Sequence, residues 1–116
     1  NADIRFFEGD IYDLARGGYS LVVCSEVLEH LEHPETALEK LVCAAEKYII
    51  VSVPREPLWR VLNMLRGKYW RSLGNTPGHV RHWSSRSFVD FLQGCGAEVQ
   101  QIKRPLPWTM VLLKKK

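Results

Sequence analysis

With 116 residues, 46% of them hydrophobic, the chain is one domain's worth of polypeptide and carries enough apolar material for a real core, which excludes a disordered chain. The formal net charge is only +3, and the basic residues are dispersed except for Lys114-Lys115-Lys116, which reads as a solvated end. Charge alone therefore argues for neither a nucleic-acid nor a membrane partner, and no stretch approaches the apolar length of a membrane span.

Asp3-Ile-Arg-Phe-Phe7 reads as a short strand that Glu8-Gly9-Asp10 ends, leaving a carboxylate at the strand end where it can accept hydrogen bonds. Ile11 to Leu14 fit one helical turn, and Arg16-Gly17-Gly18 is a break. The apolar run Leu21 to Cys24 then stops abruptly at Ser25, after which Val27, Leu28 and Leu31 recur at helical spacing. A buried strand running into a helical turn is expected here, and ligands of open parallel sheets bind just beyond the carboxyl ends of such strands. Glu26, Glu29 and His30 follow at i, i+3 and i+4, which on a helix is one face and the candidate reaction site.

His33-Pro34-Glu35 predicts a helix start, and the helix is expected to run to about Glu46 with Ala37, Leu38, Leu41, Val42 and Ala45 inward. Tyr48 to Val53 is a continuous apolar run, the pattern of a strand buried on both faces, and Pro54 stops it. Strand, helix and strand in this order predict a right-handed parallel unit. From Arg55 to Ser87 the pattern loosens, with an apolar helical segment, Leu58 to Leu65, and then a loop with Gly67, Gly74, Pro77 and Gly78 that carries Tyr69 and Trp70. Ser84 or Ser85 caps a helix over Arg86 to Gln93, with Phe88, Phe91 and Leu92 inward and Gly94 or Gly96 at its end. Ala97 to Ile102 and Thr109 to Leu113, separated by Pro105-Leu-Pro107, form an expected antiparallel hairpin.

The carboxylates and imidazole of Glu26, Glu29 and His30, with His79 from the loop as a fourth ligand, suit Mg²⁺, Mn²⁺ or Zn²⁺; the alternative is a histidine packed at a helix start. His79 and His82 can act as general base, or can instead fix the start of the last helix. Trp59, Tyr69, Trp70 and Trp83 either line an acceptor pocket or belong to the core. Cys24, Cys43 and Cys95 have no metal spacing, and with no signal peptide they read as reduced thiols of a cytoplasmic protein.

Taken together, the parallel unit, the helix ending in Gly94-Cys-Gly-Ala97 and the closing hairpin resemble the second half of the class I S-adenosylmethionine-dependent methyltransferases. Phe6-Phe-Glu-Gly-Asp10-Ile11 is similar to that family's third strand, and Tyr19 to His30 to its fourth. Gly78-His-Val-Arg-His-Trp-Ser84 is similar to the start of its last helix. The resemblance implies an α/β, Rossmann-like, mostly parallel sheet with a carboxyl-terminal antiparallel hairpin. It implies Asp10 and Ile11 at the adenine of S-adenosylmethionine, with Cys24, Ser25 and Glu26 beside its methionine end. Residues 55–83 would form an acceptor lid, and the acceptor would be a small molecule methylated on a hydroxyl. The Glu-x-x-Glu-His pattern resembles metal-assisted O-methyltransferases, in which a divalent cation lowers the acceptor hydroxyl pKa.

The family's first strand, its glycine-rich turn and the acidic end of its second strand have no counterpart in these residues. Because the first residue is Asn1 rather than Met, a truncated domain is expected, weak in donor binding and inactive by itself. The segment resembling the third strand then pairs with the fourth, pairs with a second molecule or stays loose, and the open sheet edge allows a homodimer. The rival from another class is a non-catalytic α/β module that has lost the cofactor and serves in assembly.

Overall fold

A computed structural model of the chain describes residues 3–55, 62, 64–67 and 83–116. Four strands form one sheet in the order β1-β2-β4-β3, where β1 is Tyr19–Ser25, β2 Ala45–Pro54, β3 Ala97–Lys103 and β4 Trp108–Lys115. β1 and β2 are parallel, with Cys24 beside Val51 and Ser25 beside Ser52. β4 is antiparallel to both β2 and β3, so the closing hairpin inserts its second strand next to the parallel pair. The expected Rossmann-like α/β sheet with an antiparallel carboxyl-terminal hairpin is what forms.

Helix α1, Pro34–Ala44, begins with proline at its first position and Glu35 in its first turn, both compatible with unpaired N–H groups at a helix start. It ends two residues before the expected Glu46. No glycine or proline marks that end; the extended backbone at Ala45 opens β2 directly, and Ala45 is claimed by pairing with Tyr19 and by the Lys115 ammonium on its carbonyl (3.0 Å). Helix α2, Ser85–Leu92, is capped by Ser84, whose hydroxyl accepts from the Ser87 N–H at 3.1 Å. Gly94 and Gly96 follow at φ +83° and +89°, a conformation that side chains with a Cβ resist.

Both helices cover the same face of the sheet. Ala37, Leu38, Leu41 and Val42 from α1 and Phe88 and Leu92 from α2 are buried in one cluster with Cys24, Ile49, Val51, Val53, Val111 and Leu113. Side chains alternate along a strand, so Leu21, Val23, Ile50, Met110 and Leu112 point to the opposite face. Among the described residues no helix covers it: Leu21 and Val23 are 48% and 60% exposed, and Ile50, Gln101, Lys103, Met110, Val111 and Leu112 line a shallow groove of about 170 Å³. The expectation that Leu21 to Cys24 is a buried strand therefore holds for one face only.

The first expected strand does not form. Asp3 to Asp10 pair with no strand, and Phe6 and Phe7 are 91% and 86% exposed. Alternating apolar residues give a segment the preference for extended backbone, but a strand needs a neighbour, and the chain turns at Asp10 into a short 3₁₀ helix, Ile11–Asp13, that rests beside α1 instead.

Candidate functional site at the carboxyl end of the parallel strands

β1 ends at Ser25, and the chain leaves the sheet through Glu26 at φ +54°, a left-handed conformation that non-glycine residues seldom adopt. Three contacts hold this turn. The Glu26 N–H donates to the Ser52 carbonyl at 3.0 Å, the Ser25 and Ser52 hydroxyls share a hydrogen bond of 2.8 Å, and the Trp108 indole Nε1 donates to Glu26 Oε1 at 2.6 Å. An exposed carboxylate and a hydroxyl are thereby fixed where β1 and β2 finish. Open α/β sheets take ligands just beyond the carboxyl ends of their strands, which is where these two groups stand.

A 3₁₀ turn over Leu28–His30 follows. Because Glu26 precedes it in a left-handed conformation, Glu26, Glu29 and His30 do not share the expected helical face. Their environments differ as well. Glu26 is exposed and bonded to Trp108, His30 is exposed, and Glu29 is buried (1% exposed) with neither carboxylate oxygen in a hydrogen bond of good geometry. Burial pushes the Glu29 carboxyl above its ordinary range; its own backbone N–H and the His30 imidazole, 3.8 Å from Oε1, offset part of that rise. Cys24 is raised to about 11, first by burial and then by Glu29, so its thiol is a neutral core group and not a nucleophile. Among the described residues no group of three or more His, Cys, Asp and Glu side chains is arranged to hold a metal ion.

Asp10 and Ile11 lie apart from this turn in bonding terms. The Asp10 carboxylate accepts from the Tyr12 N–H at 2.9 Å and so caps the 3₁₀ helix, while the Tyr12 hydroxyl accepts from the His33 N–H at 3.3 Å and ties that helix to the start of α1. No hydrogen bond joins Asp10 or Ile11 to Ser25 or Glu26. His79 and His82 lie outside the described residues, as do Trp59, Tyr69 and Trp70. Trp83 is described, and it stacks on Phe91 (5.0 Å between centroids) and tilts against Phe88 (5.4 Å), which puts it among core aromatics. Arg55 and Trp83 form an isolated parallel bridge just beyond the end of β2.

Two residues of the site, Ser52 and Trp108, escaped the sequence reading. Trp108 stands 82 positions from Glu26 and comes near it only because β4 inserts beside β2, opposite Pro54. The one local signal was a tryptophan directly after Pro105-Leu-Pro107, at the start of the last strand.

Residues 3–102 match a sequence model described as a methyltransferase domain. No curated protein sequence matches the chain. Among solved structures, the fold is similar to magnesium protoporphyrin IX methyltransferase (ChlM) from Synechocystis PCC 6803 with bound SAH. The TM-score is 0.65 and the identity 19%, over 93% of this chain and 49% of that one. It is also similar to an exported-protein candidate from Bordetella parapertussis, at TM-score 0.71 and 13% identity, over 92% of this chain and 42% of that one. A third is the O-methyltransferase NcsB1 from neocarzinostatin biosynthesis, in complex with S-adenosylmethionine and 2-hydroxy-5-methyl naphthoic acid. There the TM-score is 0.65 and the identity 16%, over 93% of this chain and 32% of that one. The chain thus spans about half the length of such structures, or less. With a methyltransferase-domain match over most of its residues and a sheet in the same arrangement, the chain belongs to the class I S-adenosylmethionine-dependent methyltransferases.

Proposed function

We propose that the protein transfers a methyl group from S-adenosylmethionine to a hydroxyl of a small-molecule acceptor, with the Ser25–Glu26 turn holding the methionine end of the donor. The observation that carries this reading is the turn itself: a strained backbone at Glu26, pinned from Ser52 and Trp108, presents a carboxylate and a hydroxyl at the end of a parallel strand. Backbone strain persists only where surrounding contacts over-determine it, and such sites concentrate at ligand clamps. A carboxylate beside a hydroxyl is the acceptor set that an ammonium group needs, and the residues present fit that end of the donor.

The bound donor supplies an activated sulfonium methyl. What remains for the protein is to hold donor and acceptor in line and to take the acceptor proton. In this reading Glu26 and Ser25 orient the methionine end, Cys24 closes the crevice from below as an apolar neutral thiol, and Asp10 with Ile11 faces the adenine. Residues 55–83 form the acceptor lid, and His79 or His82 removes the hydroxyl proton as a neutral imidazole. The bridge between Arg55 and Trp83, which brings the two ends of that segment together, supports this reading. A small hydroxylated acceptor has support from the naphthoic acid bound by NcsB1. Divalent-cation assistance through Glu26, Glu29, His30 and His79 is set below the histidine base, because Glu29 is buried and the left-handed backbone at Glu26 keeps Glu26, Glu29 and His30 off one shared face. Three free cysteines agree with a cytoplasmic setting.

The test is calorimetric titration of S-adenosylhomocysteine into the protein at its natural length. Saturable binding that Glu26→Ala weakens about tenfold, roughly the worth of one charge-assisted hydrogen bond, supports the reading. No binding by wild-type protein leaves the rival in place, a non-catalytic module on the same sheet.

A further inference from the structure

Just beyond the carboxyl end of β2 stands an arginine whose side chain lacks a full set of partners. The Arg55 backbone is fixed: its N–H donates to the Pro107 carbonyl at 2.7 Å, and the residue bridges Trp83. Arg55 is partly buried, and its guanidinium Nε is buried without a hydrogen-bond partner. Among the described residues no carboxylate is ion-paired with it. A buried N–H that meets no acceptor costs free energy, the more so on a guanidinium, which stays charged at every physiological pH. An oxygen-bearing anion is the ligand that completes such a group. The position does not depend on an open sheet edge: β2 is an inner strand between β1 and β4, and Pro107 and Trp83 hold Arg55 from within the chain.

Ser52 pairs with Ser25, and at the rise of an extended chain Arg55 stands roughly 10 Å beyond that pair. An amino acid's carboxylate lies next to its ammonium group. A donor whose ammonium meets Glu26 and Ser25 therefore keeps its own carboxylate near that turn, and the cation further along faces the other reactant. Resting on the donor site proposed at Ser25 and Glu26, we propose that Arg55 binds a carboxylate of the methyl acceptor, which makes the acceptor a small hydroxy acid. The guanidinium offers Nε and a terminal nitrogen as a planar fork, the shape that two carboxylate oxygens fill. One guanidinium also balances the single charge of a carboxylate, whereas a phosphate monoester carries nearly two near neutral pH. Held at two points, the acid has a fixed orientation, and its hydroxyl meets the sulfonium methyl in line.

Arginine Nε–H signals in ¹H–¹⁵N spectra of the protein at its natural length, with S-adenosylhomocysteine added, test this. Benzoate is the probe and benzamide its neutral counterpart. The Arg55 signal, assigned by its loss in Arg55→Lys, is expected to shift saturably with benzoate and not with benzamide. Arg55→Gln is expected to weaken benzoate about tenfold or more and to leave S-adenosylhomocysteine binding unchanged. Arg55→Lys keeps the charge and loses the fork, so its benzoate affinity is expected between the two, which also guards against a glutamine variant that misfolds. An Arg55 signal that benzoate does not move overturns the proposal, as when a carboxylate of the protein already fills the fork. So does a signal that inorganic phosphate moves in benzoate's place. Weaker S-adenosylhomocysteine binding by Arg55→Gln overturns it too, by assigning the cation to the donor's own carboxylate. Wild-type protein that binds no S-adenosylhomocysteine is a separate result: it removes the donor site, and with it the acceptor role of Arg55, whatever benzoate does.

Discussion

Trp108 and Glu26 are joined by a hydrogen bond of 2.6 Å between the indole Nε1 and carboxylate Oε1, across 82 residues of sequence. The bond passes over the end of β2 and ties the first strand of the sheet to the last one inserted. It is charge-assisted, which makes it stronger than a neutral pair, but Glu26 is solvent-exposed and part of that strength is screened.

Trp108→Phe keeps an aromatic ring and removes the donor. Equilibrium urea unfolding is expected to show a loss of about 1 kcal/mol, the lower end of the range for a hydrogen bond to a charged group. If the turn binds the donor, Trp108→Phe also weakens S-adenosylhomocysteine in calorimetry, because an unpinned Glu26 must be ordered on binding.

Position 26 itself separates strain from bonding. Glu26→Gly relieves a left-handed conformation worth about 1 kcal/mol and loses a hydrogen bond of similar size, so its stability by chemical denaturation should fall close to wild type. Glu26→Val loses the bond and keeps the strain, now with a β-branched side chain, and is expected to cost roughly 2 kcal/mol or more. Equal stabilities for the two variants would contradict the backbone conformation described here.

Glu29 is a buried acid with a raised pKa, and the sign of its effect follows. Its protonated form is favoured in the folded state, so the stability it allows is fully present below the unfolded carboxyl pKa and declines as pH rises through the folded value. Glu29→Gln removes the ionisation at nearly constant volume. Thermal unfolding across pH should find the variant more stable than wild type near neutrality, with the gap closing toward acid; a gap that widens in acid contradicts the assignment.

Much of this fold was legible locally. Pro34 with Glu35 marks the start of α1, Ser84 caps α2, and the unalternating apolar run around Ile49 to Val53 marks β2, since each signal acts within a few residues of itself. What escaped depends on partners distant in sequence. The Glu26, Glu29, His30 spacing presumes a helix that the left-handed Glu26 precludes, and that conformation is imposed by Ser52 and Trp108 from other strands. Ile4 to Phe7 has the right residues for a strand but no neighbour, and alternation cannot report whether one exists.

Neighbouring positions on adjacent strands give a control for the packing. Val51 is fully buried beneath the helices and Val23 is largely exposed on the other face. Val51→Ala is expected to cost about 2 kcal/mol in urea unfolding, and Val23→Ala about 0.5 kcal/mol or less.

The most direct test of the account is ¹H–¹⁵N chemical-shift mapping of the protein with S-adenosylhomocysteine. Saturable shifts centred on the amides of Ser25 and Glu26, with a second set at Asp10 and Ile11, are predicted. Shifts confined to the uncovered sheet face around Ile50 and Leu112, or none at any S-adenosylhomocysteine concentration, would contradict a methyl-donor site at the end of β1.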